Sequence, residues 1–541
     1  MNVKAHLNIY FIFIFIFLIS ILSSQTFAIE GEIEFKNNIN QLSAKSLKDK
    51  GKAIDLLIGS NNSNIEKILK SLLEGKLFFL KKDKKIVLIK KDKKEFFAKD
   101  IITGKSLGVF SKRQIKKITI NNSIRKKIKS ELSILNLQNS NDRIRLAAVK
   151  NSYNNIDHNL YKKIQDLVKS EKNEEIRNAM FILLDIYRLD SIENHIKIQA
   201  IKNLSNNLEP IVKNKLFQIK NNEKDLEIKI EVEKALNSIE TKIGFFKTLE
   251  TIFFGISFGS VLILAAIGLA ITFGVMGVIN MAHGELIMLG AYTTYVVQML
   301  MPNFIEVSLF VAIPAAFLVS GLFGIIIQTG IIRHLHGRPL ETLLATFGVS
   351  LVLQQLVRTV FSPLNRSVET PNWMSGALEI NGILSLTWNR LYIIFFCLVV
   401  FAILIMILKK TSLGLQVRAV SQDRNMAKAM GVKSNRVDAM TFGLGSGIAG
   451  IAGVALSQLT NVGPNLGQSY IIDSFMVVVF GGVGNLWGTL ISGFGLGIIN
   501  KFMEPWAGAV LAKVFILIFI VLFIQKKPKG LFPQKGRSVG D

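Results

Sequence analysis

Long uncharged runs constrain this chain more than any other feature. Thr251 to Ala282, Leu286 to Ile305, Val307 to Ile332, Leu391 to Leu408, Ala439 to Ile472 and Ser474 to Asn500 contain no acidic or basic side chain. Crossing roughly 30 Å of hydrocarbon takes about twenty apolar residues in a helix. Thr342 to Val357 and Val514 to Gln525 are shorter and reach that length with their flanks. Buried helices of soluble proteins rarely come in this number at this length, so residues 248–541 read as an all-α polytopic membrane domain. The chain before them is rich in Lys, Asn, Ile and Glu. Half of all residues are hydrophobic, yet the formal net charge is +26. The two facts fit only because charge and apolarity are segregated, with a domain boundary near Phe245 to Glu250.

The basic balance does not indicate a nucleic-acid partner: the lysines of the first half alternate with Glu and Asp instead of forming a stripe. Lys4, the apolar run Ile9 to Leu22 and the small residues of Thr26-Phe27-Ala28 have the layout of a signal peptide over residues 1–28. The alternative is an uncleaved anchor, and on either reading residues 29–247 are exported. The single cysteine, Cys397, lies in an apolar run, so the exported part is expected to have no disulfide. Short apolar runs at Leu77 to Leu80, Lys85 to Ile89 and Glu95 to Ala98, separated by lysine-rich turns, predict a strand meander over 77–110. Over 141–243 a weak repeat appears. Ile144-Arg145-Leu146-Ala147-Ala148 recurs from Ile176, from Ile196 and from Ile228, each pairing an apolar residue with another four positions on. This layout resembles a short HEAT-like solenoid, whose repeats bury a face only by stacking. It could serve as a docking surface or simply be a helical bundle.

Basic residues gather at Arg333 to Arg338, at Lys409 to Arg436 and after Lys526, and these segments are expected in the cytoplasm. An exported start and a cytoplasmic end require an odd number of crossings. Seven long spans, beginning near Thr251, Leu286, Val307, Thr342, Leu391, Asp438 and Ala507, meet that condition if Tyr470 to Lys501 forms two short or re-entrant helices. That region breaks at Gly481-Gly482-Val483-Gly484-Asn485. Non-helical backbone at membrane depth persists only where protein or a polar cavity covers it, and in transporters it marks substrate sites. Asn280, His283 and Glu285 form a second polar break, Gln354 and Gln355 sit inside the fourth span, and Asn485 and Trp487 flank the glycines Gly482 and Gly484. Polar groups there are costly unless they face protein or a cavity. His283 and Glu285 could brace the break or line a pathway, and the glutamines could join helices or line one.

The chain has no phosphate-binding Gly-x-x-x-x-Gly-Lys-Ser/Thr loop, no zinc-ligand spacing and no nucleophile elbow. It therefore reads as neither an enzyme nor a holder of a metal or cofactor. Glu285 and Asp473 are the good candidates for ion coupling. The basic loop 409–436 suggests instead a short amphipathic helix, with Met426, Ala427, Ala429, Met430 and Val432 ending at Gly431, that could lie in the groove of a soluble partner.

Gly268 to Tyr292, with Asn280-Met281-Ala282-His283-Gly284-Glu285, resembles the branched-chain amino acid permease family of ABC importers, and the loop Gly414 to Gly431 resembles that family's ATPase-docking segment. Glu341 to Ser350 followed by Gln354-Gln355, Gly463 to Gln468, and Asp473 to Gly488 resemble the urea permease branch, with Phe347 in the place of an expected Trp. The resemblance implies a pore made with a second related permease, two cytoplasmic ATPases and an extracytoplasmic binding protein. It implies a substrate pathway that includes Gln354, Gln355, Asn485, Trp487, Gly482, Gly484, Asn280, His283 and Glu285, and ATPase contacts at Arg424, Ala427, Met430 and Gly431. Urea, small and neutral, would suit side-chain amides. A sibling permease for branched-chain amino acids and an ion-coupled carrier are the alternatives. All of these imply an inner-membrane, multi-pass protein surrounded by lipid. Fusions of a compartment reporter at Asn222 and Asp541 check the topology: the first should be active outside the cytoplasm and the second inside, and cytoplasmic activity from the Asn222 fusion would overturn the scheme.

Overall fold

The computed structural model describes residues 34–533 except 45, 61, 63, 93 and 94. The expected signal peptide therefore lies outside the described residues. The chain divides into two compact units, Met1–Glu240 and Thr241–Asp541.

The first unit opens with helices α1 (34–41), α2 (Leu47–Gly59) and α3 (Ile65–Leu73). A five-stranded antiparallel sheet follows: β1 (Leu77–Leu80), β2 (Ile86–Asp92), β3 (Glu95–Asp100), β4 (Ser106–Phe110) and β5 (Ile115–Lys117), in the order β4-β3-β2-β1-β5. Phe35, Ile39, Ile54, Leu69 and Leu72 form a core with Leu77 and Ile86 of the sheet. At the β3–β4 turn Asp100 accepts from the backbone of Ile102 and Thr103 and pairs with Lys85 at 2.8 Å. Burial favours the neutral acid, but these donors outweigh it and hold the Asp100 carboxyl down at about 2.

Helices α4 (Asn122–Asn136), α5 (Asp142–Ser152), α6 (His158–Leu167), α7 (Glu174–Arg188), α8 (Asn194–Leu204) and α9 (Pro210–Asn222) come next, and α10 runs Leu226–Met276. Side chains of Asn121, Asn141, Asp157 and Asn173 accept from the first-turn N–H groups of α4 to α7, which defines where each helix starts. The repeat is stricter in space than in sequence. Arg145 makes a two-pronged pair with Glu171, and Lys197 pairs with Glu223, each 26 residues apart at 2.9 Å. Asn173 donates to Asp142, and Asn194 to Asp225, each 31 residues apart at 2.8 Å. Moving from 145 to 197, from 171 to 223 and from 142 to 194 is the same shift of 52. The repeating unit is therefore a helix triplet, with α5, α6, α7 matched by α8, α9, α10. The four related segments fall into two classes: Ile176 and Ile228 are fully buried, whereas Ile144 is 41% exposed. Of the four repeated first positions, only those on α7 and α10 are buried.

In the second unit, α11 (His283–Leu300), α12 (Ile305–Gly330), α13 (Pro339–Phe361), a small β6–β7 hairpin (Ala377–Glu379 and Ser385–Thr387), α14 (Trp388–Lys410), α15 (Ser412–Gln422), α16 (Arg424–Ala429), α17 (Ser434–Ser457), α18 (Leu466–Gly481) and α19 (Leu486–Lys526) follow. Among the described residues, six helices are long and apolar enough to cross a membrane: α10, α12, α13, α14, α17 and α19. The expected list of seven long spans is corrected at one place. The second span is the 18-residue α11, whose first turn is polar. The seventh, expected from near Ala507, is the second half of the segment Leu486–Lys526, α19, which Gly508 (φ 77°, ψ 162°) divides in two. Ser492 reaches back to the Val477 carbonyl, whereas Lys513 meets Asp473 and Phe523 meets Phe480. The first half of α19 therefore runs antiparallel to α18 and the second half runs with it. Pro505, which has no N–H to give, and Gly508, which tolerates positive φ, let the chain reverse there without a loop.

Glycines hold the centre together. Gly290 of α11 packs on the backbone of Gly450 of α17, Gly453 of α17 on Ile287 and Ala291 of α11, and Gly268 of α10 on Gly445 of α17. Small residues at crossings let backbones approach and gain dispersion, the main packing force where lipid is as apolar as the helices. Gly453→Ala would drive a methyl into the backbone of α11 and should cost about 1–3 kcal/mol. Gly348→Ala, with open space at its Cβ, should be neutral or stabilise by up to about 1 kcal/mol. Thermal unfolding of the two detergent-purified variants checks this, and equal stability would contradict the packing.

Candidate functional site

α10 ends at Met276, and the next helix starts only at His283; Gly277 takes φ +65° between them. His283 Nε2 lies 2.9 Å from the Ala265 carbonyl, a level about three turns before the end of α10. Residues 277–282 therefore climb back into the helix bundle, and α11 begins inside it. A carbonyl only accepts, so the bond makes Nε2 the protonated nitrogen. Asn280 Oδ1 accepts from Ala282 N at 3.0 Å, and Thr346 Oγ1 of α13 accepts from Met281 N at 3.2 Å. Side chains thus supply the partners that non-helical backbone needs at this depth. Asn280 and His283 are buried and brace the break.

Glu285, in the first turn of α11, is 1% exposed. Its Oε1 accepts from Gln354 Nε2 at 2.7 Å and from Ser350 Oγ at 3.0 Å, while its Oε2 has no protein donor. Thr342, Thr346, Ser350 and Gln354 recur every four residues on α13 and are all buried, which at helical spacing places them along one face. Arg358, four further on, donates to Asn465 Oδ1 at 2.8 Å. Thr346, Ser350 and Arg358 were not singled out in the sequence, although their spacing was there to read. Gln355 is not part of this cluster. One residue on, about 100° round the helix, it is exposed beside Leu351, Val352 and Leu356.

The second break lies elsewhere. Gly482 and Gly484 have φ +104° and +79°. Asn485 caps α19 by accepting from Gly488 N at 3.1 Å and donates to the Phe532 carbonyl at 3.1 Å. Leu531 N and Phe532 N donate to the carbonyls of Phe480 and Gly481, so the C-terminal segment closes the end of α18. Trp487 is 55% exposed, edge-on to Phe401. This break packs near the end of α10, with Gly484 against Gly274, and shares a groove with Lys409 and Arg418. The structure does not bring Asn485, Trp487, Gly482 and Gly484 into the Glu285 cluster. Asp473 is paired with Lys513 at 2.6 Å, which removes it as a free carboxylate.

In the loop between α14 and α17, Asp423 caps α16 by accepting from Asn425 N and Met426 N, both at 2.9 Å. The helix ends in a Schellman arrangement: Val432 N reaches the Ala427 carbonyl, Gly431 N reaches that of Lys428, and Gly431 has φ +84°. Ala427 is buried with Val417, Val420 and Val437, while Met426 and Met430 are exposed. Arg424 turns inward, forming a two-pronged pair with the buried Asp438 at 2.7 and 2.9 Å.

Among the described residues, six helices long and apolar enough to cross a membrane, with a non-helical break held inside their bundle, define a multi-pass membrane protein. The sequence pattern of the family described as branched-chain amino acid transport system / permease component matches residues 251–524, and the chain belongs to that family. It is 28% identical to the high-affinity branched-chain amino acid transport system permease protein BraD of Pseudomonas aeruginosa, over 51% of this chain and 93% of that protein. It is 29% identical to LivH of Escherichia coli, over 53% and 96%. It is 23% identical to the ribose import permease protein RbsC of Haemophilus influenzae, over 45% and 73%. No solved structure matches the chain with significance.

Gln354→Leu would remove the shortest donor to Glu285 and should lower stability by about 1–3 kcal/mol. Gln355→Leu should leave stability unchanged within about 0.5 kcal/mol. Thermal unfolding in detergent separates the two, and equal losses would refute the assigned orientation of α13.

Proposed function

We propose that this chain is one of two membrane-spanning subunits of an ATP-driven importer in the inner membrane, passing a small polar solute that carries several N–H groups. The observation that supports this most is the unpaired Glu285 oxygen beside Gln354 and Ser350 at the 277–283 break. Acceptors placed where a helix starts inside the membrane suit a neutral N–H donor. Urea is the finer reading: it is small, planar and neutral, and the motifs 341–350 and 463–488 resemble the urea branch. A branched-chain amino acid is the second reading, favoured by the names of the relatives. For it Glu285 would face the ammonium, and Arg358, one turn beyond Gln354, the carboxylate.

Two cytoplasmic ATPases would dock on α16, with Met426 and Met430 as the exposed contacts, Gly431 as the stop that presents them, and Arg424 and Ala427 as internal supports. A second related permease would cover the exposed face of α13. Leu344, Phe347 and Leu351 make that face apolar, and Gln355 sits within it; an amide there is costly against lipid. The exported unit, residues 29–247 with HEAT-like helices over 141–243, would lie outside the cytoplasm and offer a surface to the binding protein.

Proteoliposomes holding the assembled complex should take up labelled urea only when ATP is present on the ATPase side. Uptake of leucine but not urea would replace the first reading by the second, and uptake of either without ATP would overturn the importer. Gly431→Val should reduce co-purification of the ATPases and uptake together, because a β-branched residue strains the positive-φ stop.

A further inference from the structure

The second break opens onto a groove of about 280 Å³ that the solute reading does not use. It runs between the end of α14 and the start of α19. Ala270, Ile271 and Ile405 form an apolar floor, and Lys409 and Arg418 stand at the rim. No carboxylate is among the residues that line it. The rim lies where hydrocarbon gives way to water: the apolar run of α14 ends at Leu408, and Lys409-Lys410 follows. The half-exposed Trp487 beside it is the residue type that gathers at that boundary. Arg418 Nη1 donates to the Leu408 carbonyl, which fixes the guanidinium at the helix end and leaves the rest of its fork for a ligand. The first turn of α19, at Leu486 and Trp487, adds the positive end of a helix dipole.

From this combination we infer that the groove binds an anionic phospholipid. The phosphodiester sits between Lys409 and Arg418, and an acyl chain lies along Ile405 and Ile271. A soluble anion would leave the apolar floor unused, and a zwitterionic lipid would bring its own ammonium against the two cations. The site touches α15 through Val417 and Arg418 and the break through Gly484 and Asn485, so a bound lipid braces the base of the docking loop against α19.

The test is native mass spectrometry of the full chain, purified in mild detergent with the subunits it retains and incubated with phosphatidylglycerol or with phosphatidylethanolamine of the same chains. Phosphatidylglycerol should be retained preferentially. Lys409→Gln, which leaves the Arg418 bond to Leu408 intact, should lower its retention roughly fivefold, and the double change with Arg418→Gln should lower it further. Equal retention of the two lipids, or undiminished phosphatidylglycerol on Lys409→Gln, overturns the proposal. So does displacement by glycerol 3-phosphate, which would mean that the rim takes a soluble phosphate and the apolar floor plays no part.

Discussion

The bond from the His283 ring to the Ala265 carbonyl is what allows a helix to begin inside this bundle. Backbone that leaves the helix at membrane depth cannot turn to water, so each N–H and C=O must find protein. Within 277–282, Asn280 and Thr346 accept from the N–H groups of Ala282 and Met281, and Gly284 packs on the backbone of Gly467 beside them. Once the break is held, the first turn of α11 is polar by necessity. Glu285 then faces α13 rather than lipid, and a helix with an otherwise apolar surface must carry a polar face to receive it. The Thr342–Thr346–Ser350–Gln354 spacing is that face.

Much of the membrane unit was legible, because bilayer thickness imposes a length on every span. The two breaks were legible as well, since glycine clusters and lone polar residues stand out in apolar sequence. What could not be read was which break belongs to which place. Asn485 and Gln354 are both amides in apolar surroundings, and only the fold shows that one caps α19 under the C-terminal segment while the other meets Glu285. Likewise Gln354 and Gln355 are indistinguishable in composition, and the rotation of one residue on a helix separates them. The pair of Arg424 with Asp438 could not be read either, because the partner lies 14 positions away on another helix. The boundary near Ala507 was legible, but not the direction of the two halves it separates, because hydropathy records apolarity and not direction.

In the first unit the short apolar repeat was visible, but its period was not. Four similar segments suggest equal units, whereas the polar links recur only after 52 residues. Asn173 gives to Asp142 in one triplet, and Asn194 gives to Asp225 in the other, so donor and acceptor have exchanged helices while the bond is kept. A search by residue identity loses such an exchange, while geometry retains it. The bonds join the start of one helix to the residue capping another, which fixes helix ends without needing a large core.

The arrangement of supports also indicates which helix can move. α17 packs glycine on backbone against α10, α11 and α12, and Arg424–Asp438 joins it to α16. A partner that shifts α16 therefore acts on the most tightly packed helix of the unit, where a sub-ångström displacement has no room to dissipate. α13 is attached differently. Its contacts to α11 centre on the polar bonds of Ser350 and Gln354 to Glu285, and much of its surface is uncovered. Polar bonds of this kind can be exchanged for bonds to a solute at small net cost, which interlocked glycine backbones cannot. On the proposed function, then, a solute with N–H groups competes with Gln354 for the Glu285 carboxylate, and α13 is loosened from α11 only when that solute is present.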